Sequence, residues 1–318
     1  MRSTVVSSFL LAFATSALAV GCGNGGGADD DGADPDAATA VDAGIDGPTI
    51  PPGFTRLIGR SWSMSAGQPD TYRCVRITIP QDTYITAFAA QAPLGTHHTV
   101  LSVRDGQAGT DGEYDCGANS LDMNMLYASG VGTDVFDLPA GVGLKVKAGQ
   151  QLNLNLHLFN ASDSPLAGES AILVKAQATP PPMLAEMIFA GSFAISVPPG
   201  ATRTVNGGCT LPAGVNQQLF ALWPHMHQYA THQKVELVHG GTTSVLLDEP
   251  YTFVEQPYYR QDPLIPVVGG DRLKVACTYT NTSGSTISFG DSSNQEMCFT
   301  GMYLYPARGT GIFDCAGF

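Results

Sequence analysis

The sequence predicts an all-β protein whose folded body is two tandem antiparallel β-sandwich domains. Three observations carry this expectation. Helical periodicity is scarce. Short β-branched and aromatic runs bounded by Gly, Pro, Asn and Asp recur throughout, the pattern of half-buried strands. Pro180-Pro181-Pro182 interrupts the body near its middle, where residues without an N–H cannot sit inside a sheet ladder. The boundary is placed there, giving domains over 51–181 and 182–318.

The strands expected in order are Val75 to Ile79, Thr99 to Val103, Gln151 to Phe159, Lys234 to Val238, Ser244 to Leu247 and Leu273 to Tyr279. Gly240-Gly241 between two of them reads as a hairpin turn. The run Leu152-Asn153-Leu154-Asn155-Leu156-His157-Leu158 alternates strictly. Its leucines are expected on the core face, with Asn153, Asn155 and His157 looking out from a polar face.

Composition excludes several classes. The 318 residues (33.2 kDa) can bury sizeable cores, and with 14% charged residues and 37 Gly the chain is no coiled coil. A net charge of −13 removes the basic surface that nucleic-acid binding needs. Seven Asp and no Lys or Arg fall between Gly23 and Thr49, so much of the acidity belongs to a Gly/Ala/Asp tether, residues 22–50, rather than to a binding face.

The N-terminus points to export. Arg2 precedes a mostly apolar stretch from Val5 to Val20, too short to span a bilayer comfortably and placed like the core of a signal peptide over residues 1–21. Ala19-Val20-Gly21-Cys22 resembles the lipobox of bacterial lipoproteins, which implies lipidation of Cys22. The expected location is the bacterial cell envelope, lipid-anchored at the outer membrane or cell surface, or else secreted. Setting Cys22 aside leaves Cys74, Cys116, Cys209, Cys277, Cys298 and Cys315, an even number in an oxidising compartment, hence three disulfides of open connectivity.

Five of the seven histidines form three clusters: His97-His98, His157, and His225-Met226-His227. On a strand, residues i and i+2 share a face, so His225 and His227 can present both imidazoles to one ion. Adjacent His97 and His98 would point to opposite faces unless a bulge or strand end intervenes. His232 and His239 are read as solvated. None of these clusters brings a carboxylate, which disfavours Mg, Ca and non-haem iron.

From about Asp70 to Cys315 the chain resembles the ascorbate-dependent type II copper monooxygenases, the family of peptidylglycine alpha-hydroxylating monooxygenase and dopamine beta-monooxygenase. The resemblance rests on His97-His98, His157, His225-Met226-His227 and Glu296-Met297-Cys298, in that order. Leu126-Tyr127-Ala128, Leu138-Pro139, Pro198-Pro199-Gly200 and Phe220-Ala221 also look like family segments. It implies two jelly-roll-like β-sandwiches and two coppers per chain. One copper would be held by His97, His98 and His157 as an electron store. The other would be held by His225, His227 and Met297, where O2 would react. A thioether is soft and favours Cu(I).

The resemblance also implies disulfides Cys74–Cys116, Cys209–Cys315 and Cys277–Cys298. Its partners would be a small-molecule substrate, O2 and an external, ascorbate-like reductant, with membrane contact by the lipid anchor only. Thr99, Met226, Ala230 and Gln218 depart from the family pattern around the ligands. Trp223, Phe299 and Gly301 stand where the peptide-amidating branch carries its peptide-binding Arg, Asn and Tyr, which points to a neutral or aromatic substrate rather than a glycine-extended peptide. A noncatalytic copper-binding surface lipoprotein is the alternative; a metal-free structural β-sandwich is disfavoured by the intact ligand set.

Overall fold

In a computed structural model of the chain, the residues described are 50–117, 124–130, 132–309 and 311–317. The signal peptide, Cys22 and the tether as far as Thr49 lie outside them. Among the described residues the secondary structure is all-β, with sheets stacked in a sandwich-like arrangement.

A five-stranded antiparallel sheet has the order Gly112–Asp115, Thr71–Thr78, Gln151–Leu158, Thr96–Arg104 and Asn124–Ser129. A larger sheet runs Thr55–Met64, Leu166–Gln177, Thr83–Gln91, Val142–Val146, Met183–Ser192, Cys298–Tyr305, Asn216–His225 and Tyr259–Val268. A four-stranded sheet, Thr202–Thr210, Arg272–Thr280, Ala230–His239 and Thr242–Pro250, belongs to the second half of the chain.

The proline run is exposed or half-buried and lies outside the ladders, between Leu166–Gln177 and Met183–Ser192. The large sheet nevertheless continues past it, because Met183, Leu184 and Ala185 pair in parallel with Val142, Gly143 and Leu144. One hydrophobic core accordingly includes Phe88, Tyr127 and Leu154 from the first half together with Phe189, Trp223, Met297 and Tyr303 from the second. A second core, around Val235, Val275, Tyr279 and Met302, lies wholly in the second half. Ile58 to Tyr303 thus packs as a continuous apolar layer, and burial of such side chains stabilises each by about 1.5–3 kcal/mol.

Gly240 and Gly241 both take positive φ, 54° and 87°, and turn the Ala230–His239 strand into Thr242–Pro250. That is the two-residue hairpin expected, since both central positions of such a turn require left-handed backbone. The disulfides are Cys74–Cys116, Cys209–Cys315 and Cys277–Cys298, the pairings that the resemblance implies.

The two halves repeat a local structure. After the Gln151–Leu158 strand, Asn160 Nδ2 donates to the Ser164 carbonyl at 2.9 Å and its Oδ1 accepts the Ser162 hydroxyl at 2.7 Å. After Arg272–Thr280, Asn281 Nδ2 donates to the Ser285 carbonyl at 2.8 Å and its Oδ1 accepts the Ser283 hydroxyl at 2.7 Å. Leu152, Leu154, Asn160 and Ser162 therefore correspond to Leu273, Val275, Asn281 and Ser283, and His157 falls at the level of Thr278.

Candidate metal centre

His157 is the hinge of the first histidine set. The Gln151–Leu158 strand alternates as expected, but its polar face does not meet solvent: all eight residues are buried. Asn153 Oδ1 accepts the Tyr114 hydroxyl at 2.6 Å, Asn155 donates to the Gly117 carbonyl at 2.9 Å, and His157 is only 6% exposed. Neighbouring strands and loops cover this face, so the alternation marks a second buried layer.

Register brings the first set together. His157 lies directly opposite Tyr72 on one side and His98 on the other. The pairing shifts between Thr96 and His98, a bulge at His97, so that adjacent histidines reach one point near the start of their strand. One ring nitrogen from each of His97, His98 and His157 lies within 4.8 Å of the others.

The outer hydrogen bonds indicate which nitrogens face inward. His157 Nε2–H donates to Asp70 Oδ1 at 2.9 Å, and His98 Nε2–H to the Phe253 carbonyl at 3.0 Å. The Nδ1 atoms of His97 and His157 lie 3.3 Å apart. A histidine that ligates a metal through one nitrogen characteristically gives the other to a carboxylate or carbonyl, and His98 and His157 meet that requirement through Nδ1. Tyr72 stacks on His157 with ring centres 4.7 Å apart and fixes its plane.

The second set sits where strands end. His225 is the last residue of Asn216–His225, opposite Phe299, and His227 lies beyond the strand, in the turn that leads to Ala230–His239. The shared strand face expected for the pair is therefore replaced by a turn, with the rings edge to face at 5.4 Å. The Tyr251 hydroxyl donates to the Met226 carbonyl at 2.6 Å and accepts the Met226 N–H at 3.1 Å, holding the peptide between them. Met297 directly precedes the Cys298–Tyr305 strand, anchored by the Cys277–Cys298 bridge and by Tyr279, whose hydroxyl donates to the Met297 carbonyl at 2.7 Å.

His225 Nδ1–H donates to Gln256 Oε1 at 3.2 Å and His227 Nδ1–H to the Gln295 carbonyl at 3.0 Å. Their Nε2 atoms are thereby left for a metal. Trp223 stacks on His225 at 4.8 Å and donates from Nε1 to the Gln256 carbonyl at 3.3 Å. It is 1% exposed and lies behind the histidine, so it does not offer the substrate-facing surface expected of it; Phe299 does line the cavity.

Both sets open on that one cavity, of about 100 Å³, which His98, His157, His225, His227 and Met297 line together. Its other walls are mainly apolar, including Tyr72, Met125, Phe189, Phe253, Ile312 and Phe313, with Asn155, Asp291 and Ser293 as polar contributors. His232 and His239, expected to be solvated, lie at the surface beside carboxylates, at 2.9 Å from Asp248 and 2.7 Å from Asp271.

The electrostatics favour neutral imidazoles. Burial, reinforced by neighbouring histidines, pushes His97 down to about 4 and His225 to about 3; burial also lowers His227 to about 4 and His98 well below its ordinary value. Glu296 moves the other way, raised to about 7 by burial despite accepting backbone N–H groups. Burial alone would raise Asp70, but His157 and Ser293 outweigh it and hold the carboxyl below its usual range. A cluster of neutral imidazoles, outer nitrogens already committed and a thioether nearby is a donor set suited to copper.

Sequence reasoning missed Asp70, Tyr251, Phe253, Gln256 and the role of Glu296. No spacing signals the first four. Glu296 is visible as the neighbour of Met297, but it ends the polar run Asp291-Ser292-Ser293-Asn294-Gln295, so nothing in its local sequence signals that it is buried.

Residues 183–315 match the family model described as copper type II ascorbate-dependent monooxygenase, C-terminal domain. Among solved structures, a turret protein of Sulfolobus turreted icosahedral virus is 12% identical, with 78% of this chain and 96% of that chain covered at a TM-score of 0.17. A protein crystallised in complex with neoagarooctaose is 7% identical, with 77% of this chain and 33% of that chain covered at a TM-score of 0.20. Those two likenesses carry no argument about fold or function. The similarity to the copper type II ascorbate-dependent monooxygenase family therefore lies in residues 183–315, which match its C-terminal domain.

Proposed function

We propose that the chain is a copper-dependent monooxygenase that hydroxylates a C–H bond of a neutral or aromatic small molecule, using O2 and an external ascorbate-like reductant. Two coppers would be held per chain, one by His97, His98 and His157 and one by His225, His227 and Met297. The observation that carries this reading is the single cavity lined by members of both sets, in a chain whose residues 183–315 match this family. Lipidation at Cys22 would hold the protein at the bacterial envelope, with the acidic tether as spacer.

Copper supplies one-electron redox chemistry, and hydroxylation by O2 requires two electrons beyond those of the C–H bond, hence two sites. The chain's own residues do the remainder. Asp70, Gln295 and the Phe253 carbonyl hold the outer N–H of His157, His227 and His98, which fixes each ring's inward lone pair. Tyr72 and Trp223 keep two of the rings from turning. Phe189, Phe253, Phe299 and Phe313 exclude water and offer flat apolar surface to a substrate.

The deciding experiment combines metal analysis of the purified protein with ascorbate-dependent O2 uptake and 18O2 incorporation into a panel of aromatic small molecules and glycine-extended peptides. Two coppers with oxygen inserted into an aromatic compound are expected. Copper without O2 uptake would favour capture or storage instead, and incorporation into the peptides alone would overturn the substrate class.

A further inference from the structure

The repeat seen at Asn160 and Asn281 extends through both halves of the chain. In the five-stranded sheet His157 stands opposite Tyr72 on one side and His98 on the other, with a shift of register between Thr96 and His98. In the four-stranded sheet Thr278 stands opposite Thr204 on one side and His232 on the other, with a shift between Ala230 and His232. A further shift follows at the same spacing in each, between Leu101 and Ser102 and between Val235 and Glu236. Loop hydrogen bonds repeat as well. Thr96 N–H donates to the Pro93 carbonyl at 2.9 Å and Phe159 N–H to that of Gly95 at 2.9 Å, while Ala230 N–H donates to the His227 carbonyl at 3.2 Å and Thr280 N–H to that of Tyr229 at 2.9 Å. At the far end of the strands, Ile79 donates to Gln150 at 2.9 Å and accepts from Gly149 at 2.8 Å, as Leu211 donates to Asp271 at 2.7 Å and accepts from Gly270 at 2.9 Å.

Each histidine set thus has a counterpart in the other half. His97, His98 and His157 correspond to Thr231, His232 and Thr278. In the large sheet Gln91 lies opposite Ala171 as His225 lies opposite Phe299, so His225, His227 and Met297 correspond to Gln91, Pro93 and Glu169. The first counterpart keeps one imidazole and the second none. The geometry at the first is nevertheless intact. The bulge falls on Thr231, whose hydroxyl donates to the Thr278 carbonyl at 3.2 Å, so this side chain leans toward the neighbouring strand as His97 leans toward His157. His232 Nε2 lies 2.9 Å from Asp248, which leaves Nδ1 for an ion, as the Phe253 carbonyl does at His98. The two rows differ in cover. Phe253 of the second half packs against His97 and His98, whereas Thr231, His232 and Thr278 are exposed or half-buried.

We propose that the two halves are copies of one metal-binding sandwich offering the same two metal positions, that each half has kept a different one, and that the position formed by Thr231, His232 and Thr278 is a latent copper site. This rests on the copper reading above, which supplies the metal position at His97, His98 and His157. It also gives a reason for the division of ligands: His98 and His157 line the cavity shared with the second set, so the imidazoles remain on the row that faces it.

The test uses the full chain and Cu(II), with copper per chain measured after a chelating resin has removed loosely held ion, and with the Cu(II) EPR spectrum. Thr231→His/Thr278→His is expected to take up one copper more than wild type and to add a nitrogen-coordinated Cu(II) signal. Adding His232→Ala should abolish the extra copper. Even an outer partner contributes about 10–100-fold in affinity, so Thr231→His or Thr278→His alone should hold the extra copper at least about tenfold more weakly than the double variant. Melting curves of the metal-free variants report folding. Should the double variant fail to fold, Thr231→His decides, because adjacent rings share an ion only where a bulge turns both to one side. No extra copper in a folded double variant, or extra copper that survives His232→Ala, overturns the proposal, as does a Thr231→His chain that binds no better than wild type. Because the readout is a difference from wild type, the two readings fail separately. A wild type without copper beside a double variant that holds one overturns the proposed function, whereas two coppers in both overturns the latent site alone.

Discussion

Glu296 accepts the backbone N–H of His227 at 2.8 Å, and its other oxygen accepts that of Tyr229 at 2.7 Å. The carboxyl has no exposed surface, so no water can replace it. Because Met297 is the next residue, this one side chain fastens the turn bearing His227 to the strand end bearing the thioether. Glu296→Ala would strand two buried donors, each costing about 1–3 kcal/mol. A loss of stability on the order of 2–4 kcal/mol in urea denaturation is expected. Glu296→Gln, which keeps one acceptor oxygen, should lose less; equal losses for the two would mean that packing rather than hydrogen bonding dominates.

Asp70 performs a comparable task across the halves of the chain. Its Oδ1 accepts from His157 and its Oδ2 accepts the Ser293 hydroxyl at 3.0 Å, in the segment that leads to Met297. Asp70→Ala should lower metal affinity at the His97, His98 and His157 set by about tenfold. Chelator competition would read this directly, and an unchanged affinity would remove Asp70 from the metal centre. Asp70→Asn is expected to fall between, since its amide oxygen can still accept.

Much of this was legible in the sequence, for identifiable reasons. The alternation of Leu152 to Leu158 announces a strand, and Gly240-Gly241 announces its type of turn, because each is a local steric fact. Strands such as Thr83–Gln91 and Met183–Ser192 were not foreseen, since alanine and glycine dilute the β-branched signal there. The clustering of His97, His98 and His157 depends on register and on a bulge, both set by partners far along the chain. For the same reason the polar face of Asn153, Asn155 and His157 reads as solvated in sequence although loops bury it. The internal repeat is hard to read in sequence because its identities, Leu152 with Leu273, Asn160 with Asn281 and Ser162 with Ser283, are few and widely spaced, and it is the shared hydrogen-bond geometry of the two asparagines that brings them out.

Met297→Ile tests whether the two sets are separable. Isoleucine keeps the apolar bulk but removes the soft sulfur donor. Cu(I) binding at the His225 and His227 set should weaken and O2-dependent turnover should disappear, while the first set still fills. Metal analysis would then fall from two coppers toward one, with loss of the sulfur signal in X-ray absorption. Full ascorbate-dependent activity in this variant would exclude Met297 as a ligand.

The response to acid follows from burial of the imidazoles. An unfolded chain protonates histidine near pH 6.5, whereas the folded chain holds His97 and His227 neutral to about 4 and His225 to about 3. Between those limits the unfolded state binds more protons, so the stability these residues contribute is present above pH 6.5 and is lost as pH falls through the interval. Each contributes a slope of up to about 1.4 kcal/mol per pH unit. Glu296 opposes them: its folded value of about 7 lies above its ordinary 4.5, so it takes up a proton first in the folded state and offsets one histidine between those values. The net expectation for metal-free protein is a melting temperature that declines from pH 6.5 to pH 4. Copper should answer differently, because protons do not compete for the inward nitrogens until the folded values are reached. Occupancy should therefore persist through pH 5 and decline only as pH approaches about 4, so that the stabilisation conferred by copper is retained over the upper part of the range in which the metal-free protein weakens. Melting curves with and without chelator across this range would check both statements, and metal release that begins at pH 6.5 would mean that the ligands titrate as ordinary solvent-exposed histidines.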